Sequence, residues 1–207
     1  MKKKLRVKSR MIGDKPNKVV VAIHGWSGNC SNMELLLPSF NLKETAFFFP
    51  EAPYLVNGIK GKYSWSYQTP EGSWEVEEPT QLLRDFFTGL FKQFDSQKVY
   101  VMGFSQGGMV CLDMVLHLEH RLGGVFPIAG FLRDPESDKK RCHINQLSTP
   151  VVICHGKADD RVPADYSRKA FELLKGQGAN VELLLYNGKH KIGIECIRRM
   201  KEIIDIN

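Results

Sequence analysis

Lys98-Val99-Tyr100-Val101-Met102-Gly103-Phe104-Ser105-Gln106-Gly107-Gly108 is the stretch that decides how this 207-residue chain reads. The apolar run Val99 to Met102 has the length of a buried strand, and the segment from Met109 to Leu116 reads as a mostly apolar helix. Between them the Gly-x-Ser-x-Gly pattern puts Ser105 on a sharp strand-to-helix turn, the setting of a nucleophile elbow. Glycines at 103 and 107 leave room for that reversal. The turn presents the serine hydroxyl at the edge of the sheet and the N–H of Gln106 at the helix start, where backbone donors favour an anion. A five-residue pattern alone arises by chance; the flanking strand and helix make Ser105 a candidate nucleophile.

Working outward, apolar β-branched runs alternate with longer amphipathic segments. Strands are expected at Leu5–Val7, Val19–Ile23, Thr45–Phe49, Val99–Gly103, Gly124–Ile128, Val151–His155 and Val181–Tyr186. Thr80 is expected to cap a helix running to about Phe94, with Leu82, Leu83, Phe86, Phe87, Leu90, Phe91 and Phe94 as its core stripe. Further helices follow Pro163 and span about Ile194 to Asp205. This alternation predicts an α/β fold: a mainly parallel central sheet of about seven strands with helices on both faces, in one domain over 1–207. Two segments break the pattern. Residues 54–79 are long and aromatic, which suits a lid or substrate-binding loop, and residues 131–149 are polar and charged.

Composition excludes several classes. The chain has 43% hydrophobic and 25% charged residues and no apolar run of membrane-spanning length. The net charge of +6 is a terminal feature: eight of the 29 basic residues lie within the first 18 positions against Asp14 alone. That reads as an edge strand or arm guarded by lysines, with docking to an anionic membrane surface as the lesser alternative; no nucleic-acid partner is expected. The start, Met1-Lys2-Lys3-Lys4-Leu5-Arg6-Val7-Lys8, lacks the apolar core of a signal peptide. Five scattered cysteines, Cys30, Cys111, Cys142, Cys154 and Cys196, suggest reduced thiols and a cytoplasmic location. Cys142-His143 and Cys154-His155 lack zinc-site spacing, so no metal is expected.

A serine hydroxyl requires a base, and the base an orienting acid. Strand Val151–His155 leads into Gly156-Lys157-Ala158-Asp159-Asp160, and Val181–Tyr186 leads into Asn187-Gly188-Lys189-His190. Both loops follow strands, at the edge where functional groups of a parallel sheet gather. His190 is the expected base. His117 and His120 belong to the helix after the elbow, His143 to the polar segment, His155 to a strand, and His24 to the loop after Val19–Ile23. Asp159 and Asp160 are not separable by spacing. His24-Gly25-Trp26-Ser27-Gly28 is suited to supply one oxyanion donor, the N–H of Trp26, beside that of Gln106.

These pieces resemble the phospholipase/carboxylesterase family of small α/β-hydrolases, which includes the acyl-protein thioesterases. The resemblance is carried by His24-Gly25, Phe49-Pro50-Glu51-Ala52-Pro53, Ser64-Trp65, Gly103 to Gly108, His155-Gly156-Lys157-Ala158-Asp159 with Val162-Pro163, and His190, spanning nearly the whole chain. It implies an α/β-hydrolase fold without a large cap domain, Asp159 as the acid, the same two backbone donors, and no cofactor. Where thioesterase members show leucine-glycine-aspartate after His-Gly and a Trp-Phe-Asp run, this chain has Trp26-Ser27-Gly28-Asn29 and Trp65-Ser66-Tyr67. The expected function is therefore a general serine esterase or thioesterase. Its substrate would be a small ester or thioester, an acylated protein or a lysophospholipid. Trp65, Tyr67 and Trp74 are expected at the substrate, and Glu71, Glu75, Glu77 and Glu78 are expected to disfavour anionic leaving groups. A catalytically silent binding protein of the same fold is the alternative, and the oligomeric state is left open.

Overall fold

The computed structural model describes residues 4–137 and 141–206. Seven strands form one sheet: β1 (Arg6–Ile12), β2 (Lys18–Ile23), β3 (Thr45–Glu51), β8 (Val99–Phe104), β9 (Gly124–Ile128), β10 (Val151–Gly156) and β11 (Val181–Tyr186). Their order is β1-β3-β2-β8-β9-β10-β11. Only β1 runs antiparallel to its neighbour, pairing Arg6 with Glu51 through Ile12 with Thr45; the other contacts are parallel. Strands β2, β8, β9 and β10 are buried along almost their entire length, as parallel strands covered on both faces must be.

Alternate residues of these strands feed two separate cores. Val19, Val21, Ile23, Val99 and Val101 face α3 (Glu77–Leu90), α4 (Gln106–Asp113) and α5 (Asp165–Gly176). Val20, Ala22, Tyr100 and Met102 face α6 (Ile194–Ile206) and the short α1 (Cys30–Glu34) and α2 (Leu37–Phe40). The α3 stripe is core as expected, with Leu83 and Phe87 fully buried. Its start is not at Thr80. The Glu75 carboxylate accepts from the N–H groups of Glu77 (2.6 Å) and Glu78 (3.3 Å), and Pro79 fits in the first turn, where its missing N–H is harmless. The helix ends at Leu90, and Phe91 to Phe94 continue as turns.

Residues 54–79 are not structureless. They form two small antiparallel ribbons before α3: β4 (Tyr54–Leu55) with β5 (Tyr63–Ser64), and β6 (Tyr67–Gln68) with β7 (Trp74–Glu75). Three of the eight terminal basic residues, Arg6, Lys8 and Arg10, lie on the edge strand β1. Arg6 pairs with Glu51 at 2.7 Å, Arg10 with Glu34 at 2.6 Å, and Lys8 with the same Glu34; Lys2 and Lys3 lie outside the described residues. All five cysteines are buried free thiols. Among the described residues there is no cluster suited to a metal ion and no helix long and apolar enough to cross a membrane.

Candidate active site

Ser105 sits between β8 and α4 with φ 55° and ψ −113°, a positive φ that a non-glycine residue adopts only when its surroundings impose it. Its N–H is fixed to the Ile128 carbonyl at 2.8 Å. Gly107 admits the close approach behind the turn: a Cβ there would lie 2.2 Å from the Ile23 carbonyl oxygen. Sheet end, elbow and the loop after β2 are thereby packed against one another.

The loops after β10 and β11 converge on this serine. His190 Nε2 is 3.1 Å from Ser105 Oγ, and its Nδ1 is 2.7 Å from Asp159 Oδ2. With Nδ1 donating to the carboxylate, the neutral ring keeps Nε2 free to accept from the serine hydroxyl. Asp159 Oδ1 accepts from the backbone N–H groups of Arg161 and Val162, both at 2.9 Å. Burial acts to raise the Asp159 pKa, but the hydrogen bonds from Val162, His190 and Arg161 outweigh it and hold the carboxyl below its ordinary value. Asp160 is exposed and makes no hydrogen bond to His190. Gly156 lets the two loops touch, since a Cβ there would lie 2.4 Å from the Lys189 carbonyl oxygen. Tyr186 OH donates to the Lys191 carbonyl just beyond His190, and the Phe104 ring lies 4.9 Å from the imidazole.

His155 has a part that its place in a strand did not reveal. The ring is fully buried, with Nδ1 at 2.6 Å from Ser167 Oγ and Nε2 at 2.8 Å from the Val162 carbonyl. The same Nε2 lies 3.3 Å from Asp159 Oδ2. The acid thus meets one imidazole directed at the serine and a second rooted in the core. His120 and His143 have partners outside this array: His120 packs on Phe91, and His143 caps a 3-10 turn through Nδ1.

The loop after β2 is held with equal care. His24 accepts the Ala52 N–H at Nε2 (3.1 Å), so its Nδ1 carries the proton and donates to the Gly25 carbonyl at 2.7 Å. Burial keeps this ring neutral, with its pKa lowered to about 4. Gly28 N–H bonds the same carbonyl at 3.0 Å. Because a trans peptide points its C=O and N–H in opposite directions, fixing the Gly25 carbonyl aims the Trp26 N–H the other way. That N–H has no partner among the described residues, and the Gln106 N–H is the first of α4, unmet within the helix.

Trp65 and the Gln106 side chain tie these two donors together. Gln106 Oε1 accepts from Trp65 N–H at 3.0 Å, its Nε2 donates to Ser66 Oγ at 2.9 Å and Ser64 Oγ at 3.0 Å, and the Trp65 indole donates to the His24 carbonyl at 2.9 Å. Trp65 is 1% exposed. It braces the site from within, its buried indole N–H having a partner in the fold, and it is not among the residues lining the groove beside Ser105, where the sequence expectation put it. A groove of about 890 Å³ opens on Ser105 and Gln106. Trp74 and Trp26 line it; Tyr67 does not, its ring instead packing edge-on against Tyr54 at 4.7 Å. None of Glu71, Glu75, Glu77 and Glu78 lines it either.

A mainly parallel seven-stranded sheet, helices on both faces and a serine on the elbow after a central strand define the α/β-hydrolase fold, with no large cap domain among the described residues. The sequence model of the phospholipase/carboxylesterase family matches residues 7–207, and the chain belongs to that family. It is 28% identical over 161 residues to acyl-protein thioesterase 1 of Debaryomyces hansenii, covering 72% of this chain and 69% of that one. To acyl-protein thioesterase 1 of Gibberella zeae it is 27% identical over 183 residues, covering 80% and 76%. Among solved structures, esterase PE8 superposes with a TM-score of 0.84 over 98% of this chain and 99% of its own, at 23% identity, a likeness of fold.

Proposed function

We propose that this protein is a serine hydrolase that cleaves carboxylic ester or thioester bonds through Ser105, His190 and Asp159. The observation that carries this reading is the continuous hydrogen-bonded chain from Ser105 Oγ to His190 (3.1 Å) and on to Asp159 (2.7 Å). Ser105 Oγ attacks the substrate carbonyl while His190 Nε2 takes its proton. The oxyanion forms between the Trp26 and Gln106 N–H groups, which require no reorganisation to receive it. His190 then protonates the departing alcohol or thiol, leaving an acyl-Ser105 ester. A water molecule, deprotonated by the same imidazole, attacks that ester and releases the acid and the free serine. Asp159 holds the ring in the productive tautomer and balances the imidazolium in both halves. No step calls on a cofactor.

Residues 1–207 act in this reading as one unit, in which the ribbons of 54–79 supply a wall of the substrate groove through Trp74. The names of the curated relatives make acylated proteins one candidate substrate class beside small esters and thioesters. The five buried thiols suit a reducing, cytoplasm-like compartment.

The test is kinetic. Hydrolysis of p-nitrophenyl esters of increasing chain length and of a matched thioester is measured for wild type, Ser105→Ala, His190→Ala and Asp159→Asn. Each variant is expected to lose roughly 10⁴–10⁶ in kcat. Comparable loss from Asp160→Asn alone would reject the choice of acid, and undiminished turnover by Ser105→Ala would reject the nucleophile.

A further inference from the structure

The groove beside Ser105 carries charge of one sign. Its walls are mostly apolar, including Trp74, Phe131, Leu132 and Val162, and its two charged lining residues are Arg133 and Arg161; no aspartate or glutamate lines it. The two arginines are not equivalent. Arg133 Nε lies 2.7 Å from Asp113 Oδ2, so its charge has a fixed counterion. The Arg161 guanidinium has neither an ion pair nor a hydrogen bond among the described residues, although its backbone N–H is anchored at 2.9 Å on Asp159 Oδ1. An unpaired cation is therefore rooted two residues from the acid and borders the groove that opens on the serine.

None of the nearby carboxylates pairs with it; Asp160, its neighbour in sequence, is exposed and makes no ion pair with it. Glu75 is turned to the first N–H groups of α3, and Glu78 hydrogen-bonds Tyr54. Asp159 is already committed to His190, and Asp165 faces Arg168. Arg161 is exposed, and a wholly apolar ligand filling the groove would give its guanidinium no partner. A ligand with a carboxylate or phosphate would meet the unpaired guanidinium fork in the geometry that suits it, on a groove whose charged lining residues are both arginines.

We infer that the natural substrate is an amphiphilic ester or thioester bearing a negative charge, with its apolar portion on the groove wall and its anionic group at Arg161. The inference rests on the esterase reading of Ser105 and names that site's substrate class. It reverses the sequence-based expectation that local glutamates would disfavour anions.

The experiment compares charge preference in matched substrates. One pair puts the charge on the acyl side: p-nitrophenyl hydrogen suberate against p-nitrophenyl methyl suberate. The other puts it on the leaving group: p-carboxyphenyl octanoate against its methyl ester. For each pair the kcat/KM ratio, anionic over neutral, is measured in wild type, Arg161→Gln and Arg161→Lys, and dividing one enzyme's ratio by another's cancels intrinsic reactivity. In one pair the ratio should fall about tenfold in Arg161→Gln and be partly retained in Arg161→Lys. The wild-type ratio should also approach that of Arg161→Gln near 1 M salt, where the Debye length is about 3 Å. Which pair responds tells whether Arg161 reads the acyl or the leaving-group side. Ratios unchanged by Arg161→Gln in both pairs, with the esters still turned over, would overturn the anionic substrate and leave the esterase reading standing. No turnover of any ester, together with no labelling by a fluorophosphonate, would remove both.

Discussion

Asp159 illustrates how much a single side chain is asked to do. Its Oδ1 takes two backbone N–H groups and its Oδ2 faces two imidazoles, so its orientation is set from four sides. His155 is the contact with no counterpart in a plain serine–histidine–acid array. Its ring joins Asp159 to Val162 and to Ser167 on α5, which ties the acid loop to the core. Replacing it with leucine is expected to lower kcat by ten- to a hundredfold with little change in KM, and to cost on the order of 1–3 kcal/mol in urea unfolding, through the polar partners left unmet. His155→Gln, which keeps a donor and an acceptor, should recover part of both losses. Equal kcat for wild type and the leucine variant would show that the acid needs no such support. Gly156 acts by absence: an added methyl meets the Lys189 and Gly188 carbonyls at 2.4 and 2.5 Å. Gly156→Ala should separate acid from base and reduce kcat at least a hundredfold, read on the same ester substrates, because misplacement by about 1 Å is enough for that.

At the scale of elements, what the sequence disclosed depended on burial. Val19–Ile23, Val99–Met102 and Val151–Cys154 are continuous apolar runs because both faces of each strand are covered, and they were legible for that reason. Strand β1 was read only to Val7 because its second half, Ser9 to Ile12, is exposed on an edge and has no core to advertise it. The ribbons within 54–79 are two residues per strand, too short for any period. The start of α3 is set by a Glu75 side chain reaching forward to Glu77 and Glu78, a contact that a search for a Ser, Thr, Asp or Asn cap passes over. Ser105, His190 and the pair Asp159-Asp160 were legible because each follows a strand in order; spacing does not separate Asp159 from Asp160, because the loop conformation that turns one carboxylate to His190 is not encoded in it. The supports were not: Trp65 to His24, Gln106 to Ser64 and Ser66, and His155 to Asp159 join segments through pairings that no spacing encodes. Gln106→Ala, which empties the hub between the elbow and residues 64–66, should loosen both proposed oxyanion donors. A loss of about 3 kcal/mol in transition-state stabilisation, measured as kcat/KM on a fixed ester, is the expectation; wild-type kcat/KM would refute it.

For the whole molecule, the buried neutral His24 couples folding to pH. Its pKa is about 4 in the folded chain against a reference of about 6.5 when unfolded, so between these values the unfolded state binds the extra proton. Stability from this group is complete above about pH 6.5 and is lost progressively as pH falls toward 4, a difference on the order of 3 kcal/mol. Asp159, held low in the folded state, adds a loss of the same sign at more acid pH, as its carboxyl becomes protonated. Urea melts across this range should show the midpoint falling with pH in wild type and a flatter profile in His24→Gln. A wild-type profile flat between pH 7 and 4.5 would contradict the buried neutral ring.

The proposed hydrolysis turns on Ser105 being the group that bonds covalently to substrate. The direct measurement is intact-mass spectrometry after treatment with a fluorophosphonate, with the adduct located by peptide mapping, for wild type and Ser105→Ala side by side. One adduct on the peptide containing Ser105 in wild type, and none in the variant, is the predicted result. An unlabelled wild type, or equal labelling of Ser105→Ala, would contradict it.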